Sequence, residues 1–276
     1  MKILQKNVLP LFFCFFLIIF IFTNLSIRET RNSLNAKYSL EISSMPAKAM
    51  KVLAGEFSGL FADYLLLQIG SYVGSNSKVS TDQWKMIHRG FEQAFELDPY
   101  SQQTYIQAQA FLAWEARMPN AAISLLDRAR QNRPWDWIPG YYSGFNYYYF
   151  LKNFQKASDI YLETAKIKNA PIIIALLGSR FAIKEKRTHA SIDILELMLK
   201  DPELSDNDLK EITNRIHILK NIEMLDMAIE HYKRIFYVYP STLDELVVSK
   251  ILDKLPETPY KKQYHYDQNT GEIGFD

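Results

Sequence analysis

Side chains that could catalyse a reaction or hold a metal ion are scattered along the chain. The five histidines are His88, His189, His217, His231 and His265. No two of them stand at metal-ligand spacing on one helix, and no His-Glu-x-x-His motif, phosphate-binding glycine loop or Gly-x-Ser-x-Gly elbow occurs. The single cysteine, Cys14, lies in an apolar run that suits a membrane, which argues against a thiol nucleophile. We therefore expect no enzyme activity, no cofactor and no metal site.

The most unusual group of side chains is aromatic. The stretch PWDWIPGYYSGFNYYYF, residues 134–150, holds nine aromatic side chains between Trp135 and Phe150. Tyrosine and tryptophan suit protein-binding surfaces because they combine a large area with few rotatable bonds and a polar tip. Aromatic residues at helical spacing also build hydrophobic cores, so the fold must decide between the two roles.

Composition and charge narrow the class of protein. Of 276 residues, 48% are hydrophobic and 23% are charged, which is typical of globular domains. The formal net charge of +1 gives no electrostatic basis for binding nucleic acid. With one cysteine, the chain has no internal disulfide and no cysteine-rich metal site.

The N-terminal region predicts a membrane anchor. Residues 8–27 carry no charge and are numerous enough to span a bilayer as a helix. The residues that follow lack the small-x-small pattern of a signal-peptide cleavage site. Lys2 and Lys6 favour a cytoplasmic N-terminus, although Arg28 and Arg31 weaken the bias. We expect a single-pass protein of a bacterial inner membrane whose large domain faces the periplasm.

The rest of the chain has helical periodicity with an internal repeat. Apolar residues recur at three- and four-residue spacing in segments of about a dozen residues, as in WKMIHRGFEQAFEL and FQKASDIYLETAKI. Pro99, Pro134 and Pro202 each follow such a segment, at separations of 35 and 68 residues. Gly144 and Gly178 are 34 residues apart. These spacings predict a stack of helical hairpins.

The repeat resembles the tetratricopeptide repeat (TPR), whose 34-residue unit has small residues at the contact between its two helices and a closing proline. LLGSRF with ASIDILEL and Pro202 matches this pattern, as does SGFNY with KNFQKASDIY. The match is poorer at Gln109, where a small residue is usual. GEFSGLFADYLLL is similar to the first helix of bacterial membrane-anchored TPR proteins.

The last segment, residues 240–276, changes character. A short helix after Pro240 and two alternating runs around DQNTG predict a helix and a β-hairpin. The order of YPSTLDEL, LPETP and a hairpin resembles the C-terminal part of bacterial pseudopilins. The predicted organisation is a tail at 1–7, a signal anchor at 8–27, a juxtamembrane segment at 28–52, a TPR α-solenoid of about four hairpins at 53–204, capping helices at 205–239 and the terminal module at 240–276.

The TPR resemblance divides the aromatic stretch between two faces of one helix. With Trp137 at the first repeat position, Gly140, Ser143, Gly144 and Tyr147 face the second helix. The concave surface, which in this family binds peptide segments, then carries Ile138, Tyr141, Phe145, Tyr148 and Tyr149. The Tyr-rich C-terminal segment could instead fill this groove.

These features predict a mostly α-helical, membrane-anchored TPR scaffold without enzyme activity. It would bind protein partners through its concave surface, in assembly or maintenance of an envelope machine of the pilus or secretion type. One alternative is a cytoplasm-facing regulatory adaptor tethered by the anchor. Another is the substrate-binding part of an envelope enzyme.

A reporter fusion tests the orientation. Alkaline phosphatase fused after Asp276 is expected to be active, because that enzyme needs the oxidising periplasm for its disulfides. A green fluorescent protein fused at the same point is expected to stay dark when exported through the general secretion channel. The opposite pair of signals would establish the cytoplasm-facing alternative.

Overall fold

The computed structural model describes residues 15–25, 27, 45–76, 78–260 and 262–275. Most of these residues are helical, and a small two-stranded antiparallel sheet lies near the C-terminus. This confirms the predicted helical class and the C-terminal hairpin. The chain divides into two compact units, Met1–Asp98 and Pro99–Asp276.

The first unit contains the apolar helices. Its helices are α1 (Phe15–Leu25), α2 (Ala47–Ala54), a 3-10 turn (Gly55–Phe57), α3 (Ser58–Ser75) and α4 (Thr81–Leu97). Helix α4 begins with a reciprocal cap, in which Ser80 and Gln83 each bond the other's backbone N–H through the side chain. Helices α3 and α4 pack together, and α3 buries Leu65, Leu66 and Ile69.

The predicted membrane span is only partly described. Residues 15–25 of the span 8–27 form α1, whereas residues 8–14 and 26 lie outside the described residues. Within the described residues, Ala47–Ser75 is long and apolar enough to cross a membrane by length and composition. This stretch covers part of the predicted juxtamembrane segment and the first helix of the predicted first repeat.

The second unit contains most of the helices. They are α5 (Gln102–Ala108), a π-helix (Gln109–Glu115), α6 (Pro119–Asn132), α7 (Ile138–Tyr149), α8 (Phe154–Thr164), α9 (Ile172–Lys184), α10 (Thr188–Met198), α11 (Asp206–Phe236) and α12 (Asp244–Val248). From α5 to α11, each helical element packs against the next one along the chain.

The same type of turn recurs at three helix-to-helix connections of this unit, from the π-helix to α6, from α7 to α8 and from α9 to α10. Arg117, Lys152 and Lys186 each adopt a left-handed backbone conformation, with φ between 52° and 56°, just after a helix ends. At the first two turns a backbone N–H reaches six residues back, from Met118 to Leu112 and from Asn153 to Tyr147. Such bonds satisfy carbonyl groups left free at helix ends. The three basic residues are 35 and 34 residues apart, in agreement with the period seen in the sequence.

Glycines set the distance between the central helices. A Cβ atom at Gly144 would lie 2.9 Å from the ring of Tyr161 on α8, and one at Gly178 would lie 2.8 Å from Leu162. Contacts this short are repulsive, so these positions require glycine for the observed helix separation. Of the four residues predicted to face the second helix, Gly140, Ser143 and Gly144 are buried, whereas Tyr147 is only half-buried.

The predicted pair of capping helices is a single helix. Helix α11 runs for 31 residues, about 46 Å at 1.5 Å per residue. It contains neither glycine nor proline, and Ser205 caps its N-terminus by accepting the N–H of Asp208. The helix ends at Tyr237, which takes a left-handed conformation. Near its midpoint, the buried Asn221 donates to the Glu257 carbonyl and to the Tyr264 hydroxyl of the C-terminal segment.

The C-terminal segment packs against α11. Strands β1 (His265–Asp267) and β2 (Glu272–Gly274) pair in register Tyr266↔Ile273, and Gly271 takes a positive φ of 72° in the turn. Leu246, Ile273 and Phe275 join the hydrophobic core of the unit.

Gly144→Val is expected to lower the free energy of unfolding by about 1–3 kcal/mol, because the fully buried Tyr161 ring has no free space into which to move. The matched control is Gly274→Val in the same unit. A Cβ there meets no atom within 4 Å, so its effect is expected to stay within about 0.5 kcal/mol. Denaturant unfolding of the full chain in detergent, followed by circular dichroism, measures both. Equal stability of the two variants would contradict the packing argument.

Candidate functional site

A buried carboxylate fixes the start of α7. Asp136 accepts the Tyr105 hydroxyl at 2.6 Å, the Arg133 Nε–H at 3.0 Å and the Ile138 backbone N–H at 3.0 Å. Burial raises the pKa of Tyr105, and the hydrogen bond to the Asp136 carboxylate adds to this effect. Ile138, one of the predicted site residues, is half-buried at the first position of α7. Its backbone N–H bonds Asp136 and so helps to fix the start of the helix.

A reciprocal pair of side-chain amides holds the middle of α7. Gln109 donates to Asn146 at 2.9 Å, and Asn146 donates back to Gln109 at 2.7 Å. Both side chains are buried. At Gln109 the resemblance predicted a small residue, and the structure places there a long side chain whose amide is bonded to Asn146. Gln109 stands at the first position of the π-helix.

Two of the predicted groove residues pack towards the core. The ring of Tyr148 lies 4.6 Å from that of Phe181, and the ring of Tyr141 lies 6.1 Å from that of the buried Tyr161. Burial raises the pKa of Tyr161, and the neighbouring Tyr141 and Tyr148 raise it further. We therefore assign Tyr141 and Tyr148 a packing role, which leaves less of the predicted groove available to a partner.

Phe145 and Tyr149, the last two predicted groove residues, form an outer cluster with Trp114 and Phe150. Phe145 and Tyr149 stack with centroids 5.3 Å apart and planes 14° apart, and Trp114 lies 5.6 Å and 5.3 Å from them. Phe150 closes the cluster 5.1 Å from Trp114. Tyr149 is 42% exposed and Trp114 is 40% exposed. We call Trp114, Phe145, Tyr149 and Phe150 the aromatic surface.

Two cations lie beside the aromatic surface. The Lys152 ammonium is 5.3 Å from the Tyr149 ring, and the Arg117 guanidinium is 5.9 Å from the Phe150 ring. Both distances allow a cation–π attraction. Within the described residues, neither cation forms an ion pair. The surface therefore combines apolar rings with positive charge that a ligand could neutralise.

The spacing of about 35 residues between successive helical hairpins is the sequence signal that points to Trp114 as a neighbour of Tyr149. Trp114 and Tyr149 are 35 residues apart, as are Arg117 and Lys152, so each pair occupies equivalent places in consecutive units. The sequence prediction considered only residues 134–150 and missed Trp114, Arg117 and Lys152. Phe150 fell within that stretch, but we did not assign it to the groove.

The C-terminal segment bonds to α11. Tyr260 donates to Glu211 at 2.7 Å, and Asn221 donates to the Tyr264 hydroxyl at 2.8 Å and to the Glu257 carbonyl at 3.0 Å. Burial raises the pKa of Tyr260, and the hydrogen bond to the Glu211 carboxylate raises it further. These contacts give the segment a docking site of its own on α11.

Neither a metal-binding cluster nor a known relative indicates a function for the aromatic surface. No group of three or more His, Cys, Asp or Glu side chains among the described residues could hold a metal ion. The chain matches no protein-family model and no curated protein sequence.

Substitutions of Gln109 and Asn146 are expected to have non-additive effects on the free energy of unfolding. Gln109→Leu or Asn146→Leu alone leaves one buried amide without its partner, which costs about 1–3 kcal/mol of unfolding free energy. The double variant removes both polar groups, so its cost is expected to be smaller than the sum of the two single costs. Denaturant unfolding of all four proteins measures the coupling. Additive costs would show that the two amides do not stabilise each other.

Proposed function

We propose that this protein is a non-enzymatic, membrane-anchored scaffold of the TPR type, which binds a protein partner through its aromatic surface. The single observation that carries the proposal is the partly exposed cluster of Trp114, Phe145 and Tyr149 beside two cations. The regular turns at Arg117, Lys152 and Lys186 support a repeat architecture.

The proposed partner segment has an apolar side chain flanked by carboxylates. Stacked rings offer a rigid apolar area that loses little conformational entropy on binding. Arg117 and Lys152 lie over the rings of Phe150 and Tyr149. Carboxylates of a partner would neutralise these two cations, which favours acidic partners over basic ones. Interfaces of this kind depend on a few aromatic and arginine residues near their centre.

The proposed setting is the inner membrane of a bacterium, with the large domain in the periplasm and the partner in an envelope machine of the pilus or secretion type. The uncharged run at 8–27 supports the anchor, and the resemblance of residues 240–276 to pseudopilins supports the type of machine. Orientation is tested separately by the reporter fusion at Asp276.

Site-specific photocrosslinking in cells tests the proposal. A benzophenone amino acid at position 149 is expected to give a discrete adduct with one protein, because position 149 lies at the exposed centre of the surface. The matched control is the same amino acid at Trp135, which is 60% exposed in the same aromatic stretch but lies outside the aromatic surface.

A second substitution tests whether the adduct at position 149 depends on the aromatic surface. Trp114→Ala removes the ring that packs against Tyr149, and truncation of such a residue at an interface costs about 2 kcal/mol or more, roughly a 30-fold loss of affinity. We expect the adduct at position 149 to fall accordingly while circular dichroism stays unchanged. The same adducts at 149 and 135, or none at 149, would refute a partner site here.

A further inference from the structure

Helix α3 exposes an unusually apolar face. Leu60, Phe61, Tyr64 and Leu67, with Phe57 in the turn before the helix, are between 47% and 72% exposed. At 100° per residue these five side chains fall within an arc of about 120°. Single exposed apolar residues are normal on a protein surface, whereas a continuous apolar face marks an interaction site.

The opposite side of α3 is already occupied. Ala62, Leu65, Leu66 and Ile69 are buried, and α3 packs against α4. Helix α4 carries charged residues on its outer side, including Asp82, Lys85 and Glu92. If α3 crossed a bilayer, α4 would be carried with it, at about 2.5–3.5 kcal/mol for each charge at the membrane centre.

The backbone also argues against a straight crossing. Gly55 has φ 54° and ψ −127°, which interrupts the helix between α2 and α3. Helix α3 alone has 18 residues, about 27 Å in length, slightly less than the roughly 30 Å hydrocarbon thickness of a bilayer. The break at Gly55 and the packing of α3 against the charged helix α4 therefore favour a helix that lies along the membrane surface over one that crosses it.

We propose that the exposed face of α3 lies on the lipid bilayer, as a second membrane contact beside the N-terminal anchor. The inference rests on the proposed anchoring at 8–27, which leaves residues 28–56 before Phe57. Eight of these 29 residues form α2, so the segment reaches at most roughly 85 Å, which limits the distance of the face from the bilayer. Effective concentration then favours lipid over a second protein.

The side chains suit the interface between lipid and water. The face itself carries no charge, and Asp63 stands at its margin. Tyr64 keeps its hydroxyl in a hydrogen bond donated by Gln68 at 2.8 Å while its ring stays exposed. Such a helix buries its apolar side about 5–10 Å into the boundary of headgroups and acyl chains. Since Lys48, Lys51, Glu56 and Asp63 balance in charge, apolar burial drives the contact.

Lipid-borne quenching tests this contact on the full chain. In a Cys14→Ser background, Leu60→Cys and Leu67→Cys carry a nitrobenzoxadiazole fluorophore, and the protein is reconstituted in vesicles of phosphatidylethanolamine and phosphatidylglycerol. We expect blue-shifted emission at both positions and loss of most of it when the lipid carries a nitroxide near the headgroup. Lys85→Cys on α4, whose side chain is 67% exposed, is the matched control and should keep its emission.

A probe at Phe16→Cys, read with a nitroxide placed deep in the acyl chains because position 16 lies near the middle of the proposed span, separates this inference from the anchor. Quenching at position 16 without quenching at 60 and 67 would overturn the surface contact and leave the anchor intact. Absence of quenching at 16 as well would overturn both. Blue-shifted emission at 60 and 67 that lipid nitroxides do not quench would show a second copy or another protein on this face, and would also overturn the proposal. Circular dichroism confirms that every labelled protein is folded.

Discussion

The close approach of α7 to α8 is the constraint on which the second unit depends. Any Cβ at Gly144 would meet the buried Tyr161 ring, so the side of α7 that faces α8 consists of small residues. A helix with one small face must place its large side chains elsewhere. The many aromatic residues of α7 therefore lie on its other sides, where some pack against the core and others remain at the surface.

Buried hydrogen bonds hold α7 against the helices that precede it in the chain. Asp136 anchors its first turn through three hydrogen bonds, and the amides of Gln109 and Asn146 bond each other at its centre. Buried polar groups without partners are costly, so these pairs favour one arrangement of the helices over others. The aromatic surface is consequently held in one geometry, and such preorganisation would lower the entropic cost of binding the proposed partner.

The two exposed apolar features differ in chemistry, and the difference suits two kinds of contact. The aromatic surface combines stacked rings with Lys152 and Arg117, which can recognise the shape and charge of a protein segment. The face of α3 is broad, apolar and uncharged, as expected for contact with lipid, where directional partners are absent.

Local patterns in the sequence predicted much of the secondary structure. The helical period, the prolines and Gly144 and Gly178 identified the hairpins and the small contact positions, because these features depend on neighbours a few residues away. Turn residues likewise predicted the hairpin between β1 and β2.

The sequence did not predict the continuity of α11, since the partners of Asn221 come from residues 257 and 264. It also did not separate Tyr141 and Tyr148 from Phe145 and Tyr149, or identify Trp114 as their neighbour. Those outcomes were decided by tertiary structure, because they depend on which side chains from distant segments occupy the same space.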